Sequence, residues 1–114
     1  MKKRIESFGY ALRGIRDFIY CGVNAKIQLI AGAGIVLAGI ILHFTTSEWI
    51  AVAICIGAVL SGEAMNTALE ELADEVTGER RERIRRVKDM AAGSVLISAL
   101  ASVVVAALIL SNKF

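Results

Sequence analysis

Apolar positions in this chain gather into three long runs, and the second does not end as the other two do. The runs cover 27–44, 49–69 and 90–110. Each approaches the ~20 residues a helix needs to cross ~30 Å of hydrocarbon. The first and third carry no charged residue, whereas the second is charge-free only over 49–62. It then continues unbroken through Glu63, Asn66, Thr67, Glu70 and Asp74. Ahead of the runs, over 1–26, Ile5, Phe8, Leu12, Ile15, Ile19 and Val23 recur at three- and four-residue steps, and Lys3, Arg4, Arg13, Arg16, Asp17 and Lys26 fill much of the rest. That periodicity predicts an amphipathic helix on a membrane surface, with its basic residues toward headgroups. A soluble four-helix bundle would share this first pattern but not the runs behind it. The expected fold is an all-α membrane protein of one domain, 1–114, with a surface helix and three transmembrane helices.

At ~3.6 residues per turn, positions 63, 66, 67, 70 and 74 form one narrow stripe, and Ala64, Ala68, Leu69 and Leu72 lie elsewhere around the helix. A carboxylate at bilayer depth costs at least ~2.5 kcal/mol, so an acidic stripe inside a span points to a functional site. The plainer explanation is a helix leaving the membrane whose polar residues meet water. It accounts for Glu71, Asp74 and Glu75, but not for Glu63, which has apolar neighbours on both sides.

Composition and charge sharpen the picture. The 114 residues are 56% hydrophobic, with ten glycines and no proline, too apolar for an ordinary soluble domain of this size and suited to helices packed closely in lipid. Small residues such as Gly32, Gly34 and Gly39 in the first run, and Ala91, Ala92 and Gly93 in the third, let helix backbones approach. Three thin spans barely enclose a polar site, so a homo-oligomer is expected. The net charge is only +2, but the basic residues are unevenly placed. Six precede the first run and six lie between Arg80 and Lys88, while 43–48 has none and only Lys113 follows the third run. The positive-inside rule then puts the N-terminus and the 76–89 connection in the cytoplasm. The 43–48 turn, Trp49 and the C-terminus face outward, and His43 belongs at that outer interface with no partner for metal binding. Cys21 and Cys55 match no metal or redox spacing. Cys55 reads as a small apolar filler. The N-terminus lacks the apolar core and small-residue cleavage site of a signal peptide. No nucleic-acid partner is expected.

The stripe suggests a division of labour. Glu63 and Glu70 are two turns apart, about 10 Å. The deeper Glu63 suits a general base acting on a group buried in lipid. Glu70, nearer water, suits a hard cation such as Mg²⁺, which takes oxygen ligands. Asn66 stands between them and can orient either partner. The basic cluster over 79–89 can hold polyphosphate, although topology alone also predicts an arginine-rich loop there. Lys88 and Asp89 are more specific, because they lie at the mouth of the third run, close to where Glu70 emerges. There is no Walker A pattern.

The segment Glu63-Ala-Met-Asn66-Thr-Ala-Leu-Glu70-Glu-Leu-Ala-Asp74, followed by Val87-Lys88-Asp89-Met90-Ala-Ala-Gly-Ser-Val-Leu96, resembles the bacterial membrane diacylglycerol kinase and undecaprenol kinase family. The shared pattern is E-x-x-N-[ST]-A-x-E-x-x-x-D, then K-D-[MV] and a helix of small residues. The match extends over nearly the whole chain. The resemblance implies a homotrimer in the bacterial inner membrane, with active sites between protomers at the cytoplasmic surface. There ATP with Mg²⁺ phosphorylates the hydroxyl of a lipid alcohol. It implies Glu63 as the catalytic base, with Asn66 beside it, and Glu70 as a metal ligand. Asp74 joins the same face, Lys88 and Asp89 belong to the nucleotide site, and Lys3 or Arg4 helps hold phosphate. Catalysis would rest on positioning and electrostatic stabilisation of the transferred group.

Two departures stand out. The family carries a second metal-binding glutamate just before the first span, in a context like N-E-x-N-x-R-I-H-L, and here Gly22 occupies that place, with Cys21 where an asparagine is common. Arg80-Arg81 replaces a Tyr-His pair. Three readings stay open: another carboxylate such as Glu71 or Asp74 is recruited, the chain is an impaired variant, or it is a non-catalytic relative. Gly22→Glu is then expected to raise activity or lower the Mg²⁺ requirement. An ion or proton pathway along the stripe would want carboxylates through the other spans, which supply none. Between diacylglycerol and undecaprenol the spans offer no polar code. The signature loop and Ser47-Glu48-Trp49-Ile50 resemble undecaprenol-type members slightly more.

Overall fold

The computed structural model describes residues 2–114, apart from the side chain of Val23, so the place of Val23 on the expected surface-helix stripe lies outside the described residues. Four helices follow one another: α1 (Lys2–Cys21), α2 (Val23–Leu42), α3 (Thr46–Val76) and α4 (Glu82–Lys113). The expectation of an all-helical chain is met, and α2, α3 and α4 are each long and apolar enough to cross a membrane.

The helices begin and end for reasons other than hydropathy. The surface helix expected over 1–26 stops at Cys21, because Gly22 is extended (φ −85°, ψ 113°) and donates its N–H to the Phe18 carbonyl at 2.8 Å. Lys26 therefore belongs to the first turn of α2. A β-carbon on Gly22 would stand 2.8 Å from that carbonyl oxygen, so the corner needs glycine for close approach. Helix α2 ends at His43, whose left-handed backbone (φ 56°) turns the chain, and Phe44 N–H donates to the Gly39 carbonyl at 3.0 Å. Helix α3 starts with a capping box: Glu48 N–H donates to Thr45 Oγ1 at 3.2 Å, and Thr45 N–H donates to Glu48 Oε1 at 2.8 Å. The connection expected over 76–89 is reduced to 77–81, because α4 already begins at Glu82. Its charged first turns are helical because Arg85 pairs with Glu82 three residues before it and with Asp89 four residues after it.

Helices α3 and α4 run antiparallel and share the most extensive packing, α2 lies more sparsely on α3, and α1 touches α2 and α3 lightly, with no buried residue. Ion pairs pin both ends of the α3–α4 pair. Lys113 Nζ is 2.8 Å from Glu48 Oε1 at one end, and Lys88 Nζ is 2.7 Å from Asp74 Oδ1 at the other. Beside the Glu48 pair, Phe44, Val52 and Ile109 form a small core, and the Phe44 and Trp49 rings meet with centroids 5.5 Å apart. Elsewhere large side chains such as Ile54, Leu100, Val103 and Leu108 are exposed. Such a surface is hostile to water and ordinary against hydrocarbon, where packing of small residues holds helices together.

Candidate functional site

The polar stripe of α3 turns toward α4. Glu63 and Asn66 are buried, at 3% and 7% exposure, while Val52, Val59 and Ala73 are the buried apolar residues of α3. All five lie within about a third of the helix circumference. Between the two end pairs, the antiparallel register sets Glu63–Glu70 against the α4 stretch that begins Ala91-Ala-Gly-Ser94. Small side chains there let the α4 backbone come close, and Ala91 is itself buried.

Asn66 Nδ2 donates to Glu70 Oε1 at 3.4 Å, which orients the amide and leaves its oxygen facing the interior. Asn66 Oδ1 is buried with no hydrogen-bond partner among the described residues. Leaving a buried carbonyl unmade costs ~1–3 kcal/mol, and such groups call for an explanation by a ligand or a catalytic role. No donor among the described residues reaches the Glu63 carboxylate either. The stripe thus presents a buried carboxylate, an unpaired amide oxygen and a more exposed carboxylate in that order along α3. The donors are all oxygen, as a hard cation requires. No group of three or more carboxylate, histidine or cysteine ligands gathers among the described residues of the single chain. A magnesium ion needs only one or two carboxylates when phosphates and water supply the rest, and the exposed Glu70 carboxylate fits that kind of site.

The other candidate residues divide. Lys88 and Asp74 are brought together across the α3–α4 interface. Asp89 is held instead by Arg85, which binds it at 2.6 Å and also grips Glu82. Arg85 was countable in the sequence only as one more basic residue, although its spacing from Glu82 and Asp89 is the signal of a helix-surface clamp. Lys3 and Arg4 sit at the far end of α1 and form no ion pair among the described residues. It is the later part of α1, from Ala11 to Cys21, that faces α3. The structure does not bring Lys3 or Arg4 to the stripe. Nor does it leave room for a glutamate at position 22 without moving the corner.

What fold and site together define is a helical membrane protein whose one polar stripe points at its own neighbouring helix. Residues 9–110 match the model of the prokaryotic diacylglycerol kinase family, and the chain belongs to that family. It is 28% identical over 113 residues to the undecaprenol kinase of Bacillus subtilis (strain 168), covering 99% of this chain and 92% of that one. It is 35% identical over 105 residues to a diacylglycerol kinase of Synechocystis sp., covering 87% of this chain and 57% of that relative. A diacylglycerol kinase of Sinorhizobium sp. is 35% identical over 99 residues, covering 86% of this chain and 71% of its own. Membership makes the chain a lipid kinase and a bacterial membrane protein.

Proposed function

We propose that the chain transfers the terminal phosphoryl group of ATP to the hydroxyl of a membrane lipid alcohol, diacylglycerol or undecaprenol, at the cytoplasmic surface of the inner membrane. The observation that carries this reading is the buried stripe itself, with Glu63 at 3% exposure and the unpaired Asn66 Oδ1 one turn on. In the reaction the lipid oxygen bonds to the terminal phosphorus, the bond from that phosphorus to the bridging oxygen breaks, and ADP leaves. Glu63 receives the hydroxyl proton, and Asn66 holds the hydroxyl or a phosphoryl oxygen in line. Glu70 would hold Mg²⁺, which offsets phosphate charge. Lys88 exchanges Asp74 for a nucleotide phosphate, and Arg85 fixes Asp89 beside it. Positioning and charge stabilisation suffice for such a transfer.

The basic residues of α1 and those from Arg80 to Lys88 support a cytoplasmic N-terminus. The incomplete carboxylate set and the distant Lys3 and Arg4 support completion of the site by other copies of the chain, as in the homotrimer the family resemblance implies. Gly22 supports a second reading, a catalytically impaired relative on the same scaffold. The deciding experiment is phosphate transfer from labelled ATP in micelles with Mg²⁺, offering diacylglycerol and undecaprenol separately. Transfer by the protein and its loss in Glu63→Gln are expected. A folded, oligomeric protein that transfers to neither lipid would establish the impaired reading instead.

A further inference from the structure

A cleft of about 760 Å³ lies beneath the surface helix, on the face of α3 next to the one that carries Glu63. Leu60 and Thr67, three residues before and four after Glu63, line it, and residues at those spacings are neighbours on a helix surface. The cleft therefore opens beside the proposed base. It extends along α3 from Leu60 to Glu71, about 16 Å. Most of its wall is apolar. The charged residues lining it are Asp17 from α1 and Glu71 from α3, both acidic, and no lysine, arginine or histidine lines it among the described residues. Asp17 is shared with Arg16 at 3.5 Å, with both side chains exposed. Glu71 forms no ion pair among the described residues. Arg16 offsets part of the Asp17 charge, and the unpaired Glu71 keeps the cleft negative.

Resting on the lipid-kinase reading, we propose that this cleft takes the uncharged lipid alcohol and that Glu71, assisted by Asp17, is its charge filter. An uncharged hydroxyl headgroup passes the acidic mouth without electrostatic cost. Its phosphate ester carries negative charge, is repelled by the carboxylates at contact range, within the ~8–10 Å screening length, and leaves. The same repulsion keeps anionic bilayer lipids out of a cleft their tails would otherwise fit. Apolar walls supply affinity for the tails, and the carboxylates decide which headgroup stays.

Cys21 lines the cleft and is exposed, which makes it a reporter that needs no ATP. With Cys55→Ala leaving one thiol, the rate of Cys21 alkylation by a maleimide is measured in micelles containing diacylglycerol, undecaprenol or phosphatidic acid. The uncharged alcohols are expected to slow alkylation several-fold, and phosphatidic acid to leave it unchanged. In Glu71→Gln, phosphatidic acid should protect as well, at a mole fraction roughly tenfold below that needed in the parent protein. Inhibition of phosphate transfer by the phosphorylated lipid should deepen by the same factor. Equal protection by phosphatidic acid with and without Glu71 would overturn the filter. So would a Cys21 that resists alkylation whatever lipid is present, because a second copy of the chain would then fill the cleft. Phosphate transfer by the parent protein is scored separately. Absence of transfer with lipid-selective protection intact defeats the kinase reading alone. Transfer with no effect of Glu71→Gln defeats the filter alone.

Discussion

Lys88 offers a choice between two roles that differ in size. Its amine lies 2.7 Å from Asp74, but the two side chains are 39% and 69% exposed. An ion pair that wet contributes about 0.5 kcal/mol once screening and side-chain entropy are counted. If the pair only fastened α4 to α3, Lys88→Met and Asp74→Asn would each lower stability by about that amount. Each would then leave phosphate transfer nearly unchanged, because a protein stable by ~5–15 kcal/mol stays folded after so small a loss. If Lys88 instead binds a nucleotide phosphate, it makes a charge-assisted hydrogen bond of about 1.5–3 kcal/mol. Loss of that bond lowers kcat/KM for ATP roughly ten- to 150-fold. The assay is transfer from labelled ATP at varied nucleotide concentration for the parent, both single variants and the double variant, beside an unfolding titration for each. The expected pattern is small, equal losses of stability with a large loss of kcat/KM confined to variants lacking Lys88. The double variant should then be no worse than Lys88→Met. Equal losses of threefold or less in both single variants would refute the nucleotide role and leave Lys88 a fastener.

Three further predictions concern the scaffold. A β-carbon on Gly39 would stand 2.5 Å from Trp49 Cη2 and 2.8 Å from Phe44 Cδ2, so Gly39→Ala should cost about 1–3 kcal/mol of overpacking, read by denaturant titration and by a shifted Trp49 emission. Unchanged stability and emission would show that the rings have room to move. Lys113→Ala releases the end of α4 from Glu48 and removes the ammonium 5.7 Å from the Phe44 ring centre; hydrogen exchange in the last turns of α4 should quicken while transfer activity holds. Gly22→Ala and Gly22→Glu both place a β-carbon 2.8 Å from the Phe18 carbonyl oxygen, so both should loosen the α1–α2 corner, seen as faster proteolysis there. A gain of activity in Gly22→Glu, absent in Gly22→Ala, would identify the added carboxylate as a metal ligand despite that strain.

Much of this molecule is legible in the order of its residues. Hydropathy and helical periodicity are local properties of the chain, so the three spans, the surface helix and the single stripe of Glu63, Asn66 and Glu70 could be read directly from residue order. Thr45 and Glu48 carry a capping box in their spacing alone. Helix ends were less legible, because hydropathy marks where lipid stops and hydrogen bonding marks where a helix stops. Glu82, Arg85 and Asp89 extend α4 into a segment too charged to look like a span. At the other boundary, Gly22 ends α1 through a close approach to the Phe18 carbonyl.

Only tertiary structure decided which way the stripe faces and what each of its members meets. Burial of Glu63, the unpaired oxygen of Asn66, the reach of Lys88 to Asp74 and the absence of Lys3 and Arg4 from the stripe all depend on how α4 and α1 lie against α3. Those are contacts between residues far apart in the chain. Spacing along one helix fixes the face a residue shares, but the neighbour across that face is set by packing.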